Sequence, residues 1–233
     1  MFSLGFDTLI IDNLHYSDDE LSKLFELFVP LDVVNFVFIH DFDFRSDNLT
    51  LSLNKFRSYA KHLSSISPRN VHVKVCANLP LIDDAVDNPA LRRLRASNKH
   101  NSIFVSIPLF QESSDNHFAA NLNKLLYRKN LFPIFTSYDN RLKTASGELD
   151  YKLLCVKNCA FAFDINYLLS SENSEIHNLL ISKSIHFLPS ISRDLGNYVG
   201  VIKYAEHLMS VIGKSNYYKL CSLINKTATH LGF

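Results

Sequence analysis

The sequence predicts an α/β fold, one domain in which short buried strands alternate with amphipathic helices. Three observations predict it. Apolar runs of strand length recur along the whole chain, most of them lack polar alternation, and the segments between them carry helical spacing. Strands separated by helices require crossover connections, and such connections favour a parallel sheet.

The apolar runs are residues 8–11, 33–39, 71–76, 103–107, 132–135, 160–163 and 185–188. Between the first two, Leu21, Leu24, Phe25 and Phe28 fall on one helical stripe, and Asp18 is the expected N-cap. Leu53, Phe56, Ala60 and Leu63 mark a second helix, and Leu122, Leu125 and Leu126 a third. Seven such strands fit either an open doubly wound sheet or a closed barrel, and periodicity does not separate the two. The longest irregular stretches, 79–102 and 138–149, follow strands, and in both architectures loops of that kind gather at the carboxyl ends, where sites are built. There is no internal repeat and no low-complexity linker, so residues 1–233 are read as one domain.

Composition narrows the function classes. Hydrophobic residues make up 47% and charged residues 20%, which is globular and not disordered composition, and eighteen Phe with no Trp imply a core of Phe, Leu and Ile. The 24 basic and 23 acidic residues nearly cancel, so the chain lacks the long-range field of a general nucleic-acid binder, although a local basic site is allowed. Cys76, Cys155, Cys159 and Cys221 contain no Cys-x-x-Cys pair, which speaks for reduced, partly buried thiols over a zinc knuckle or redox site. With six glycines there is neither a dinucleotide fingerprint nor a P-loop, and neither a Cys-x5-Arg loop nor a G-x-S-x-G elbow is present. No run approaches the about 18 apolar residues of a membrane span, and a cytoplasmic location is expected.

The order of segments from about residue 9 to 232 resembles the PHP (polymerase and histidinol phosphatase) superfamily, and most closely the tyrosine phosphatases of bacterial capsule loci. The pieces that carry the resemblance are Ile103-Phe-Val-Ser-Ile-Pro108, the segment 122–128 leading into Leu131-Phe-Pro-Ile-Phe-Thr-Ser-Tyr-Asp-Asn-Arg141, Phe163-Asp-Ile-Asn-Tyr-Leu-Leu169, Ile185-His-Phe-Leu-Pro-Ser190, and the closing stretch 204–220 with Gly213. The resemblance implies an irregular (β/α) barrel of about seven parallel strands. In the family, His, Asp and Glu at the strand ends hold several divalent metals that activate water for phosphoester hydrolysis.

Most of those ligands are replaced here. The first-strand Asp-x-His-x-His is Asp12-Asn-Leu-His-Tyr16, which keeps His15 out of register. The later acidic and histidine positions fall on Asn78, Ser106 and Ser137, and the terminal Asp-x-His becomes Ile191-Ser-Arg193. Ser, Asn and Ile remove the charge that would hold a dication, so the expectation is no cofactor, with a divalent metal such as Mn or Zn as the alternative. The most ligand-like run is His40-Asp41-Phe42-Asp43, which with Asp12 and His15 would form a reduced metal site. Its plainer reading is that Asp41 and Asp43 are solvated while Phe42 and Phe44 pack beneath.

Arg141 and Arg193, with Asp139 and Asp194, are expected at the same strand-end mouth as Asn78, Ser106 and Ser137. Each arginine could bind a phosphate in bidentate fashion or close the empty site in a salt bridge. Arg193 is expected to point into the former metal cavity, paired with Asp194, Asp139 or Asp12, while Ile191 packs inward. Arg92, Arg93 and Arg95, interleaved with leucines, are further anion-binding candidates, although such a helix more often solvates one face. The remaining histidines, including His62, His72, His177 and His186, form no two-His helical motif and receive no role.

Three functions follow. The leading one is a PHP-like pseudoenzyme that binds an unidentified protein or phosphorylated ligand. A phosphoesterase with a reduced metal site is the second, and an RNA- or DNA-associated subunit, the less favoured partner class, is the third.

Overall fold

The computed structural model describes residues 3–11, 16–41, 49–78, 103–108, 131–137, 160–170, 174–191, 200–230 and 232. Among them are seven strands: β1 (Thr8–Ile11), β2 (Asn35–Asp41), β3 (His72–Asn78), β4 (Ile103–Pro108), β5 (Leu131–Ser137), β6 (Ala160–Asp164) and β7 (Phe187–Ile191). Six α-helices accompany them: α1 (Asp18–Phe28), α2 (Leu49–Ile66), α3 (Ile165–Leu169), α4 (Ser174–Lys183), α5 (Val201–Ile212) and α6 (Lys214–His230). The strands are all parallel and pair in chain order, and β7 returns to β1, which closes the sheet into a barrel.

Which face looks outward follows from β2. Phe36 and Phe38 both meet Phe25 of α1 edge-on, at centroid distances of 5.1 and 6.5 Å, so that face is covered by helices. Side chains alternate along a strand, so Asn35, Val37 and Ile39 face the barrel interior. Register partners share a face. Ile10, paired with Val37, and Ser190, paired with Ile10, therefore also look inward. Leu188 and Ala162 are a register pair on that inner face, and both are fully buried. Burial on both sides is why β1, β6 and β7 read as near-continuous apolar runs.

Helix α1 begins where its backbone donors are satisfied by a capping box. Ser17 is the N-cap, accepting from the Glu20 amide, and Ser17 N–H donates to the Glu20 carboxylate at 2.8 Å. The expected cap, Asp18, is instead the first helical residue, where its charge complements the helix dipole and pairs with His62 at 2.9 Å. The α1 stripe Leu21, Leu24, Phe25 and Phe28 is buried as its spacing predicts.

At the other end of the chain α6 locks onto the lead into β1. Tyr217 donates through its hydroxyl to the Leu4 carbonyl at 2.8 Å, and the Asn225 amide bonds Gly5 O and Asp7 N–H, each at 3.3 Å. Gly5 has φ 82, and a Cβ there would lie 3.1 Å from Cys221 Sγ, so both backbone conformation and close approach require glycine. Gly213, with φ 83, turns the chain between α5 and α6. No helix among the described residues is long and apolar enough to cross a membrane.

Candidate site at the carboxyl ends of the strands

Parallel strands bring their carboxyl ends to one rim, and polar residues of this chain collect there. Asp41, Asn78 and Ser106 are register partners on β2, β3 and β4. Neighbouring strands lie about 4.8 Å apart, so these three positions are adjacent in the ladder. Ser137 ends β5 opposite Phe163. Asp164 ends β6 opposite Ser190, which is only 4% exposed.

Asp164 and Ser190 were not assigned roles from sequence. A usable signal existed for Asp164, because it closes a four-residue apolar run just as Asp12 does. Asp164 caps α3, its carboxylate accepting from the Asn166 amide at 2.9 Å. Beside it the Asn166 side-chain oxygen is buried and accepts no hydrogen bond among the described residues.

His40 is held elsewhere. It stands two residues beyond Phe38 on the outward face of β2, and its ring stacks on Tyr59 of α2 at 4.2 Å with Phe56 6.0 Å away. Burial pushes the Tyr59 phenol pKa up, as expected for a ring enclosed in that packing. The strand period thus puts His40 on the opposite face of the sheet from the lumen positions of β2. Among the described residues no three His, Cys, Asp or Glu side chains gather as a metal site.

No family model matches the chain, and no curated protein and no solved structure matches it.

Ile191 corrects an expectation. It is fully buried, but it pairs with Ile11, which pairs with Phe38, so it belongs to the outward face with the Phe25-facing aromatics. The inward residue of that strand end is Ser190. Ile191 therefore does not fill the cavity position of a metal-binding aspartate, because a one-residue step along a strand reverses the face. Asp12, His15, Asp43, Arg92, Arg93, Arg95, Asp139, Arg141, Arg193 and Asp194 lie outside the described residues, as do the stretches 79–102 and 138–149.

The histidines given no role include one that the fold buries, His177, and one that it half-buries, His186. His177 of α4 is 0% exposed, and its Nε2–H donates to the Leu168 carbonyl of α3 at 2.6 Å. The opposite nitrogen, Nδ1, is buried with no hydrogen-bond partner among the described residues. Desolvation holds the His177 pKa below the ordinary histidine value, although the Leu168 bond opposes this. His186 lies at the other end of the barrel, just before β7. Thr227 Oγ1 spends its proton on Leu223 O at 2.9 Å, so it accepts from His186 Nδ1–H at 3.2 Å. Partial burial and the stacked His230 ring, 5.4 Å away, lower the His186 pKa. Cys76 and Cys221 are both buried, and burial pushes the Cys221 thiol up to about 12.

Proposed function

We propose that this chain is a PHP-like barrel that works as a binding or regulatory module and has no multi-metal phosphoesterase centre. The observation that carries the reading is the His40 ring, packed on Tyr59 at 4.2 Å on the helix side of β2. A reduced metal site built on His40 and Asp41 needs both side chains to converge, and successive strand residues face opposite ways. The register row of Asp41, Asn78 and Ser106 supports the same reading, since its three positions hold a single acidic residue. That chemistry suits hydrogen bonding to a polar or phosphorylated ligand better than holding a hard dication.

The test is metal analysis of protein purified without chelators, followed by hydrolysis assays with phosphotyrosine peptide and an aryl phosphate in added Mn, Zn, Fe or Mg. Substoichiometric metal with no binding on titration is the expected result. A stoichiometric metal, or robust hydrolysis lost on Asp41→Asn or Asp164→Asn substitution, would overturn the proposal in favour of a reduced-site phosphoesterase.

A further inference from the structure

The outer face of α6 has a chemistry that the barrel mouth does not use. Over its 17 residues the helix contains no Asp or Glu. Tyr217, Leu220, Cys221, Ile224, Thr227 and Ala228 form the buried side. At 100° per residue the opposite side gathers Lys214, Tyr218, Lys219, Ser222 and Lys226 into one arc, and all five are exposed. Among the described residues none of the three lysines forms an ion pair. Tyr218 is 58% exposed, one of four large hydrophobic side chains so exposed among the described residues. An open groove of about 480 Å³ runs beside it, lined by Gly5, Tyr218, Ser222, Asn225, Lys226 and Thr229. Asp7, whose backbone N–H donates to Asn225 of the groove lining, accepts through its carboxylate from Thr8 Oγ1 at 2.7 Å.

We infer that this face binds single-stranded nucleic acid, with phosphates on Lys214, Lys219 and Lys226 and a base stacked on Tyr218. Three uncompensated cations along one face attract a repeating polyanion, although the chain as a whole carries only +1. An exposed aromatic ring flanked by those cations is the element that favours a base over an acidic peptide, because a base offers a π-face and a carboxylate does not. Ser222 and Tyr218 hydroxyls supply additional hydrogen bonds at the groove. The helix cannot serve instead as a membrane-surface helix, since its apolar side is buried against the protein. This inference does not depend on the reading of the barrel mouth.

Fluorescence anisotropy of the full chain with a labelled oligothymidylate of about 12 nucleotides tests it. Three phosphate contacts predict a slope of log K against log salt of about −2, and each Lys→Gln substitution in turn reduces it by about 0.7. Tyr218→Ala should weaken binding about tenfold while leaving the slope unchanged. Lys183→Gln on α4 should change nothing. These are surface positions, so circular dichroism should stay constant through the series. No binding at micromolar protein in low salt would overturn the proposal, as would binding that survives substitution of all three lysines. Displacement of the oligonucleotide by an acidic peptide at equal concentration, or indifference to Tyr218→Ala, would replace nucleic acid by a general polyanionic peptide partner.

Discussion

Acid should weaken this fold through His177, and the size of the effect can be worked out. The ring is fully buried, one nitrogen donates to Leu168 O, and the other has no partner among the described residues to receive an added proton's charge. Its native pKa is below the unfolded value, so between those two values the unfolded chain binds more protons and stability rises with pH. If the native ring stays neutral, moving from about pH 7.5 to about pH 5.5 carries the unfolded histidine from about a tenth to about nine tenths protonated, a loss of about 1.4 kcal/mol. With a urea m-value of about 2 kcal/mol/M, the midpoint falls by about 0.7 M. His186, whose pKa is also lowered, acts in the same direction, so the effect of His177 is isolated by comparison with a variant. His177→Gln keeps an amide donor for Leu168 O and removes the titration. Its stability difference between the two pH values should be smaller than that of the parent by about 1.4 kcal/mol. Equal acid losses in the two proteins, or an NMR titration of the His177 ring with an ordinary midpoint, would refute the argument.

Three further outcomes follow from the packing. Ser17→Ala removes the capping box of α1 and should cost about 1 kcal/mol, read as a shift in the urea midpoint at constant m-value. Phe36→Ala, which empties a fully buried site and its edge-on contact with Phe25 at 5.1 Å, should cost about 3–5 kcal/mol, whereas Leu51→Ala on the exposed side of α2 should fall within about 0.5 kcal/mol. Cys76 and Cys221 should stay unlabelled by a thiol reagent at neutral pH until the protein is unfolded, because both are buried and Cys221 is held as the thiol; peptide mapping checks each residue separately.

The α/β class and the positions of the strands were legible in the sequence because strands such as β1, β6 and β7 are buried on both faces and so read as apolar runs. The ends were less legible. Strand β2 was expected at 33–39 and spans Asn35–Asp41; β3 was expected at 71–76 and spans His72–Asn78. Apolarity reports burial, and Val33 is indeed fully buried, but a ladder extends as far as its neighbour offers partners. Asp41 and Asn78 belong to the strands because they pair with each other, and a polar residue at a strand end gives no apolar signal. The α1 cap was misplaced by one residue for a related reason, since Ser17 and Asp18 are both good caps and only the reach of Glu20 distinguishes them.

Hydrophobic periodicity, charge balance and glycine usage by themselves determined that this chain builds parallel strands under helices and contains neither nucleotide-loop motif. They also put polar residues, Asp41, Asn78 and Ser106, at strand ends. Only the tertiary structure decided which of those residues are neighbours and which way the flanking ones face. His40 and Ile191, both candidates for the mouth by position in the chain, belong to the helix-facing side, while Ser190 and Asp164 take the register positions at the rim. The reason is geometric: a single residue's step along a strand reverses its direction, and register between strands distant in sequence is set by pairing that no local pattern records.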